Sequence, residues 1–213
     1  MKPSKDNRPL IAIACGGTGG HLFPGLAVAE ELVRHNARVL LLVSQRDLKQ
    51  PALRAMSGME VLAIPAVGNG ASLPAKARFG MGLVQSFAAC IKRFRHESPK
   101  AVLGMGGYTS AAPIRWARFR GIKTFLHESN TIPGRANRWL LTHANEVFVW
   151  FPETGRRLDS QKVVQTGMPV RTSFRARNKE GCRRSLSLDP DREVLLVMGG
   201  SQGASGINEL VMR

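Results

Sequence analysis

His21 closes a run of glycines, Cys15-Gly-Gly-Thr-Gly-Gly-His21, and that combination of residue types defines a chemistry. Glycines let a backbone turn tightly and bring its N–H groups up to an anion, and a helix beginning just beyond adds partial positive charge. Such a loop suits a phosphate or pyrophosphate. An imidazole at its end titrates near neutrality, so His21 is placed either to take a proton as a general base or to complete the anion site. Two further runs repeat the design, Gly104-Met-Gly-Gly-Tyr-Thr-Ser110 and Gly199-Gly-Ser-Gln-Gly203. Glu128 is a carboxylate able to orient a proton carrier. No loop matches the GxxxxGK signature or a clean GxGxxG, which disfavours a kinase, a P-loop ATPase or an ordinary NAD enzyme. Each loop taken singly reads equally well as a tight strand-to-helix turn.

The elements that must hold these loops are legible in the apolar pattern. Leu10 to Ala14, Val39 to Val43, Val61 to Ile64, Ala101 to Leu103, Thr124 to Leu126, Val147 to Val149 and Val194 to Met198 read as buried strands. Helices are expected from Pro24 to His35, Ala75 to His96, Pro113 to Arg120, Pro133 to Leu141 and Ala204 onward, three of them opening on a proline. Alternation of this kind predicts an α/β fold with a Rossmann-like parallel sheet, and ligands of such sheets collect outside the carboxyl ends of the strands, where all three loops would lie. The arginine-rich stretch from 168 to 192, with Pro169 and Pro190, reads as an interdomain linker between a first domain, 1–167, and the start of a second at 193–213. A lone strand and helix cannot bury both faces of the strand, so the second domain is expected to be truncated.

Composition narrows the partners. A formal charge of +16 on 213 residues favours polyanions: nucleic acid, anionic lipid head groups or phosphorylated substrates. No helix-turn-helix, zinc-finger or RNP-like pattern accompanies the charge, so nucleic acid is not expected as a partner. Cys15, Cys90 and Cys182 lack any CxxC spacing, which argues against a disulfide framework or a structural zinc and for a reducing, cytoplasmic setting. No metal or other cofactor is expected. Asp189-Pro-Asp191 superficially resembles a metal-binding DxD, but its central proline marks a turn. No secretory leader is expected at the N-terminus, and the apolar stretch from Phe79 to Ile91 is too short to span a bilayer. Between 75 and 96, Phe79, Leu83, Phe87, Ile91 and Phe94 recur at helical spacing beside Lys76, Arg78, Lys92, Arg93 and Arg95. This is either a core-facing amphipathic helix with solvated charges or a face for peripheral docking on anionic lipid.

Five blocks in order, GGTGGHLFPGLAVAEEL, VLGMGGYTSAAP, HESNTIPGRANRWL, GMPVR and VMGGSQGASGINEL, cover nearly the whole chain. Together they resemble the MurG transferases of glycosyltransferase family 28. The resemblance implies a GT-B architecture of two Rossmann-like domains across a cleft, and inverting transfer of N-acetylglucosamine from UDP-N-acetylglucosamine to undecaprenyl-pyrophosphoryl-muramoyl-pentapeptide. It implies action at the cytoplasmic face of the bacterial plasma membrane, in peptidoglycan synthesis. It also implies that Thr18, Gly19 and Gly20 line the cleft near the donor sugar, that Asn130 and Arg171 contact the donor, and that Ser201, with Gln202 beside it, meets the UDP phosphates. Gly106, Gly107 and Tyr108 would receive the acceptor's pyrophosphate, and the rest of the uridine pocket would lie in the second domain. Asn137, in the same block as Asn130, would join the substrate contacts; read without the resemblance it is a helix cap or face residue, Arg171 a solvated linker arginine, and Tyr108 packing alone. The chain departs from the family at Met168, where asparagine is usual, at Ser129 for glutamine, and at Ala111 and Ala112. Another sugar-nucleotide enzyme, or a non-catalytic lipid- or acceptor-binding remnant, is the alternative reading.

Overall fold

In the computed structural model, alternate residues of the central strands enter two separate cores. Residues 6–56, 58–66, 68, 72–174, 176–199 and 204–212 are described. The strands are β1 (Leu10–Ala14), β2 (Arg38–Ser44), β3 (Glu60–Ile64), β4 (Ala101–Gly104), β5 (Lys123–Glu128), β6 (Glu146–Val149) and β7 (Val163–Gln165). All pair in parallel in the order β3-β2-β1-β4-β5-β6-β7. The helices are α1 (Gly19–Arg34), α2 (Pro51–Arg54), α3 (Leu73–His96), α4 (Ala111–Phe119), α5 (Arg135–Leu140), α6 (Pro152–Leu158), α7 (Lys179–Ser185) and α8 (Ser205–Val211).

Side chains two apart on a strand share a face. Leu10, Ala12, Leu40, Leu42 and Val102 therefore meet Cys90 and Phe94 of α3, Ile114 and Trp116 of α4, and Leu140 of α5. Ile13, Cys15, Val39, Leu41 and Leu103 meet Leu22 and Leu26 of α1 and Leu53 of α2. A fully buried leucine contributes roughly 1.5–3 kcal/mol, so both faces of the sheet are covered, as strands this apolar require. Cys15 belongs to one core and Cys90 to the other, and both are buried. From β1 the chain runs out to β2 and β3, then returns to β4 on the other side of β1. The order reverses at that point, opening a crevice beyond the carboxyl ends of β1 and β4.

The helix starts differ from expectation. Thr18 is extended (φ −150°, ψ 158°) and caps α1, so Gly19, Gly20 and His21 form its first turn and Pro24 lies inside the helix. Pro24 has no N–H to return to the Gly20 carbonyl, a loss confined to the second turn. Pro113 sits third in α4, and Pro133 precedes the Gly134 cap of α5. Proline near the first helical position occurs instead in α2, α3 and α6. β7, α2, α6 and α7 are short elements without a strong apolar period, and the sequence reading missed them.

The chain separates into two compact units, Met1–Arg171 and Thr172–Arg213. In the second, α7 falls within the stretch read as linker, capped by Asn178, whose Oδ1 accepts the Gly181 N–H at 2.8 Å. Asp191 N–H donates to Asp189 Oδ1 at 2.9 Å, a local turn. The strand expected at Val194 to Met198 does not form: the segment is irregular, with Leu195 87% exposed. A strand needs a neighbour to satisfy its N–H and C=O groups, and no described strand pairs with it. Ser201 and Gln202 lie outside the described residues.

Candidate active site

Two loops meet at the reversal of strand order, and each is tied to its surroundings by side chains. After β1, Gly17 takes φ +107° and its N–H donates to Asp47 Oδ2 at 2.8 Å. The same oxygen accepts Ser44 N–H at 2.9 Å and Ser44 Oγ–H at 2.6 Å at the end of β2. A side chain at Gly16 would collide with this clamp, its Cβ lying 2.3 Å from Ser44 N. After β4, Thr109 Oγ1 donates to the Gly16 carbonyl at 2.8 Å, fastening the second loop to the first, and Ser110 Oγ donates to the Gly106 carbonyl at 2.9 Å, closing the second loop on itself. The Tyr108 ring packs beside Gly17 and Gly68.

The His21 ring lies against the second loop. Gly106 and Gly107 adopt φ +98° and +70°, and a Cβ on either would stand 3.0–3.1 Å from the imidazole. Their conformation and the ring's proximity both demand glycine. Nδ1 is 3.0 Å from Thr18 Oγ1, while Nε2 is bonded to no described residue. With Nδ1–H donating to Thr18, Nε2 presents its lone pair. Burial pushes the His21 pKa below its ordinary value, more than Glu128 and Asp47 raise it, so the ring is neutral at pH 7 and able to accept a proton.

Glu128, at the end of β5 and buried, organises the third wall. Oε1 accepts Asn130 N–H at 3.0 Å and Asn130 Nδ2–H at 2.8 Å; Oε2 accepts Gly134 N–H at 2.8 Å and Asn137 Nδ2–H at 2.9 Å. Four donors on two oxygens make it an acceptor that shapes the 129–137 segment. Asn137 also donates to the His127 carbonyl at 3.0 Å, which fixes its amide orientation and leaves its buried Oδ1 without a partner among the described residues. His127 Nε2 faces the Gly167 carbonyl at 3.4 Å, its Nδ1 is unpartnered, and burial lowers its pKa.

These walls enclose a cavity of about 600 Å³ whose lining includes His21, Gly106, Gly107, Tyr108, Glu128, Asn130 and Asn137. Thr18 joins it through the His21 bond, with Gly19 and Gly20 in the same helical turn. Arg171 is not in the lining; its Nε donates to Glu30 Oε1 on α1 at 3.0 Å, so it is an ion-paired residue and not a solvated one. Sequence reasoning missed Asp47, Ser44 and Thr109, whose signal is only a short polar residue just past a strand or glycine turn. It also passed over Arg135 and Trp139 in the lining. Among the described residues no group of three or more His, Cys, Asp or Glu side chains is placed to hold a metal ion.

Residues 11–149 match the Glycosyltransferase family 28 N-terminal domain. A UDP-N-acetylglucosamine--N-acetylmuramyl-(pentapeptide) pyrophosphoryl-undecaprenol N-acetylglucosamine transferase of Desulforudis audaxviator is 36% identical over 210 residues, covering 95% of this chain and 55% of the relative. The protein of the same name in Nitratidesulfovibrio vulgaris is 39% identical over 212 residues, covering 95% and 54%. The chain thus spans about half the length of the curated relatives it matches. The crystal structure of Acinetobacter baumannii MurG superposes with a TM-score of 0.63 at 24% identity, over 81% of this chain and 47% of that one. A UDP-GlcNAc 2-epimerase from Neisseria meningitidis bound to UDP-GlcNAc gives 0.57 at 18%, over 75% and 46%. These two likenesses concern the fold. The two glycine loops, the parallel sheet that carries them and the match over 11–149 make this chain a member of glycosyltransferase family 28, through that family's N-terminal domain.

Proposed function

We propose that the chain is the acceptor-side half of an inverting transferase that moves N-acetylglucosamine from UDP-N-acetylglucosamine to an undecaprenyl-pyrophosphoryl-muramoyl-pentapeptide. The observation that carries this reading is the His21 imidazole in the cavity lining, held against Gly106 and Gly107, with Nε2 bonded to no described residue. In this mechanism Nε2 takes the proton of the acceptor hydroxyl as its oxygen bonds to the anomeric carbon. The bond from that carbon to the UDP oxygen breaks with inversion, and its electron pair leaves with UDP. Glu128 acts by holding Asn130 and Asn137 at the cavity wall. Residues 1–167 form the acceptor domain, 168–192 the connection, and 193–213 the beginning of a UDP-binding domain that supplies Ser201 and Gln202. Asn130 and Arg171 serve the donor, which for Arg171 requires release from Glu30.

Docking is peripheral, at the cytoplasmic face of the plasma membrane. Among the described residues no helix is long and apolar enough to cross a membrane. On α3 and α4, Phe87, Ile91, Trp116 and the exposed Phe119 border an apolar groove rimmed by Arg95 and Arg120. Arg93 is not part of that rim, because it is paired with Glu60.

The test joins this chain to the C-terminal half of the Nitratidesulfovibrio vulgaris relative and follows labelled N-acetylglucosamine onto a short-isoprenoid acceptor. Binding of that acceptor to the 213-residue chain alone is measured in parallel. Transfer by the hybrid, with His21→Ala lowering turnover about 10²–10⁴-fold at little change in donor binding, is the expected result. No acceptor binding and no transfer would remove the reading; unchanged turnover in His21→Ala would remove His21 from the chemistry.

A further inference from the structure

The cavity is short of positive charge for the ligand it is proposed to take. A pyrophosphate diester brings two negative charges, and the wall already holds the Glu128 carboxylate. Glu128 is engaged only by neutral N–H donors, so its charge faces an incoming anion without a paired cation. Burial keeps His21 neutral, and the glycine loops offer only partial charges. Arg135 is the one lysine or arginine in the described lining.

Its placement is fixed while its side chain is idle. Gly134 and Asn137, on either side of it, are both bonded to Glu128, which sets the backbone at the start of α5. The Arg135 side chain is exposed and makes no ion pair or hydrogen bond among the described residues. Neighbouring arginines are engaged: Arg138 Nε donates to the Pro133 carbonyl at 3.1 Å, and Arg115 lies 5.1 Å from the Trp139 ring centre. A free guanidinium at a cavity mouth presents a planar fork suited to two phosphate oxygens.

We infer that Arg135 is the cation that receives the acceptor's pyrophosphate and offsets Glu128, a substrate-positioning role resting on the acceptor-side reading above. The role predicts a loss of anion affinity without a loss of fold. Inorganic pyrophosphate is titrated calorimetrically into the 213-residue chain and its Arg135→Gln, Arg135→Lys and Arg156→Gln variants at about 0.15 M salt, where distant surface charges are screened. Arg156 is exposed on α6 and outside the cavity lining, so it controls for net charge. Binding to one site, weakened about 10- to 100-fold in Arg135→Gln, partly restored in Arg135→Lys and unchanged in Arg156→Gln, is expected, with equal melting temperatures. In the hybrid enzyme Arg135→Gln should raise the acceptor KM and leave the donor KM unchanged. Equal pyrophosphate affinity in wild type and Arg135→Gln overturns the role of Arg135 and leaves the transferase reading standing. If neither pyrophosphate nor the short-isoprenoid acceptor binds the wild-type chain, the acceptor-side reading falls and takes this inference with it.

Discussion

At the scale of single residues, the site depends on groups held in one protonation or hydrogen-bonding state. His21 and His127 are both lowered, chiefly by burial. An unfolded histidine titrates near 6.5, so as pH falls below that value the unfolded chain takes up protons that the folded chain still refuses. Their contribution to stability is complete above about pH 6.5 and is lost as pH drops through the folded values. The melting temperature should therefore fall between pH 7.5 and 5, and the ring protons of both residues should titrate below 6.5 by NMR; midpoints above 6.5 would contradict the burial argument. Glu128→Gln turns one acceptor into a donor facing N–H groups, and buried donors left unpaired cost about 1–3 kcal/mol each. Chemical denaturation should show a loss of about 2 kcal/mol or more, and a change below 0.5 kcal/mol would deny Glu128 its organising role. His21, Glu128 and Asn137 were legible because glycine loops and polar clusters stand out against apolar strands. Asp47 was not, since its partners at Gly17 and Ser44 come together only when β1 and β2 pair.

Among elements, the first helix lies close on the strand ends beneath it. A Cβ on Gly25 would lie 2.3 Å from Cys15 Cβ and 3.2 Å from Met105 Cγ. Gly25→Ala is thus an overpacking change, expected to cost about 1–3 kcal/mol despite alanine's better helix propensity; a stabilised Gly25→Ala protein would show that α1 can move off the sheet. The strands were readable because parallel, doubly covered strands are continuous apolar runs, and β1 emerged with the limits expected of it. Helix starts were harder. Proline at 24, 113 and 133 suggested openings, whereas the extended Thr18 starts α1 and places His21 in its first turn. β7, with Val164 and Gln165 exposed at the edge, carries too little apolar pattern to be distinguished from a loop.

For the whole chain, charge and exposed apolar surface decide behaviour in solution. With +16 net charge and an arginine-rimmed apolar groove on α3 and α4, binding to vesicles rich in phosphatidylglycerol should weaken as salt rises. Phe119→Ala combined with Arg95→Gln should weaken it further; binding indifferent to salt and to both changes would argue against that face. Amide exchange should be slow in β1, β2, β4 and β5 and fast from 194 to 199, a segment that pairs with no strand among the described residues. That segment shows the limit of pattern reading: Val194 to Met198 has the composition of a strand, but composition cannot supply a neighbour.

The cysteines give each side of the sheet its own reporter. Burial pushes the Cys15 thiol far up and that of Cys90 to about 12, and the two sit in opposite cores, while Cys182 on α7 is partly exposed. A thiol-directed dye added to the folded chain should modify Cys182 alone. The later appearance of label on Cys15 or Cys90, resolved by peptide mass, would time the opening of the α1 side and the α3–α4 side separately, using only side chains the protein already has.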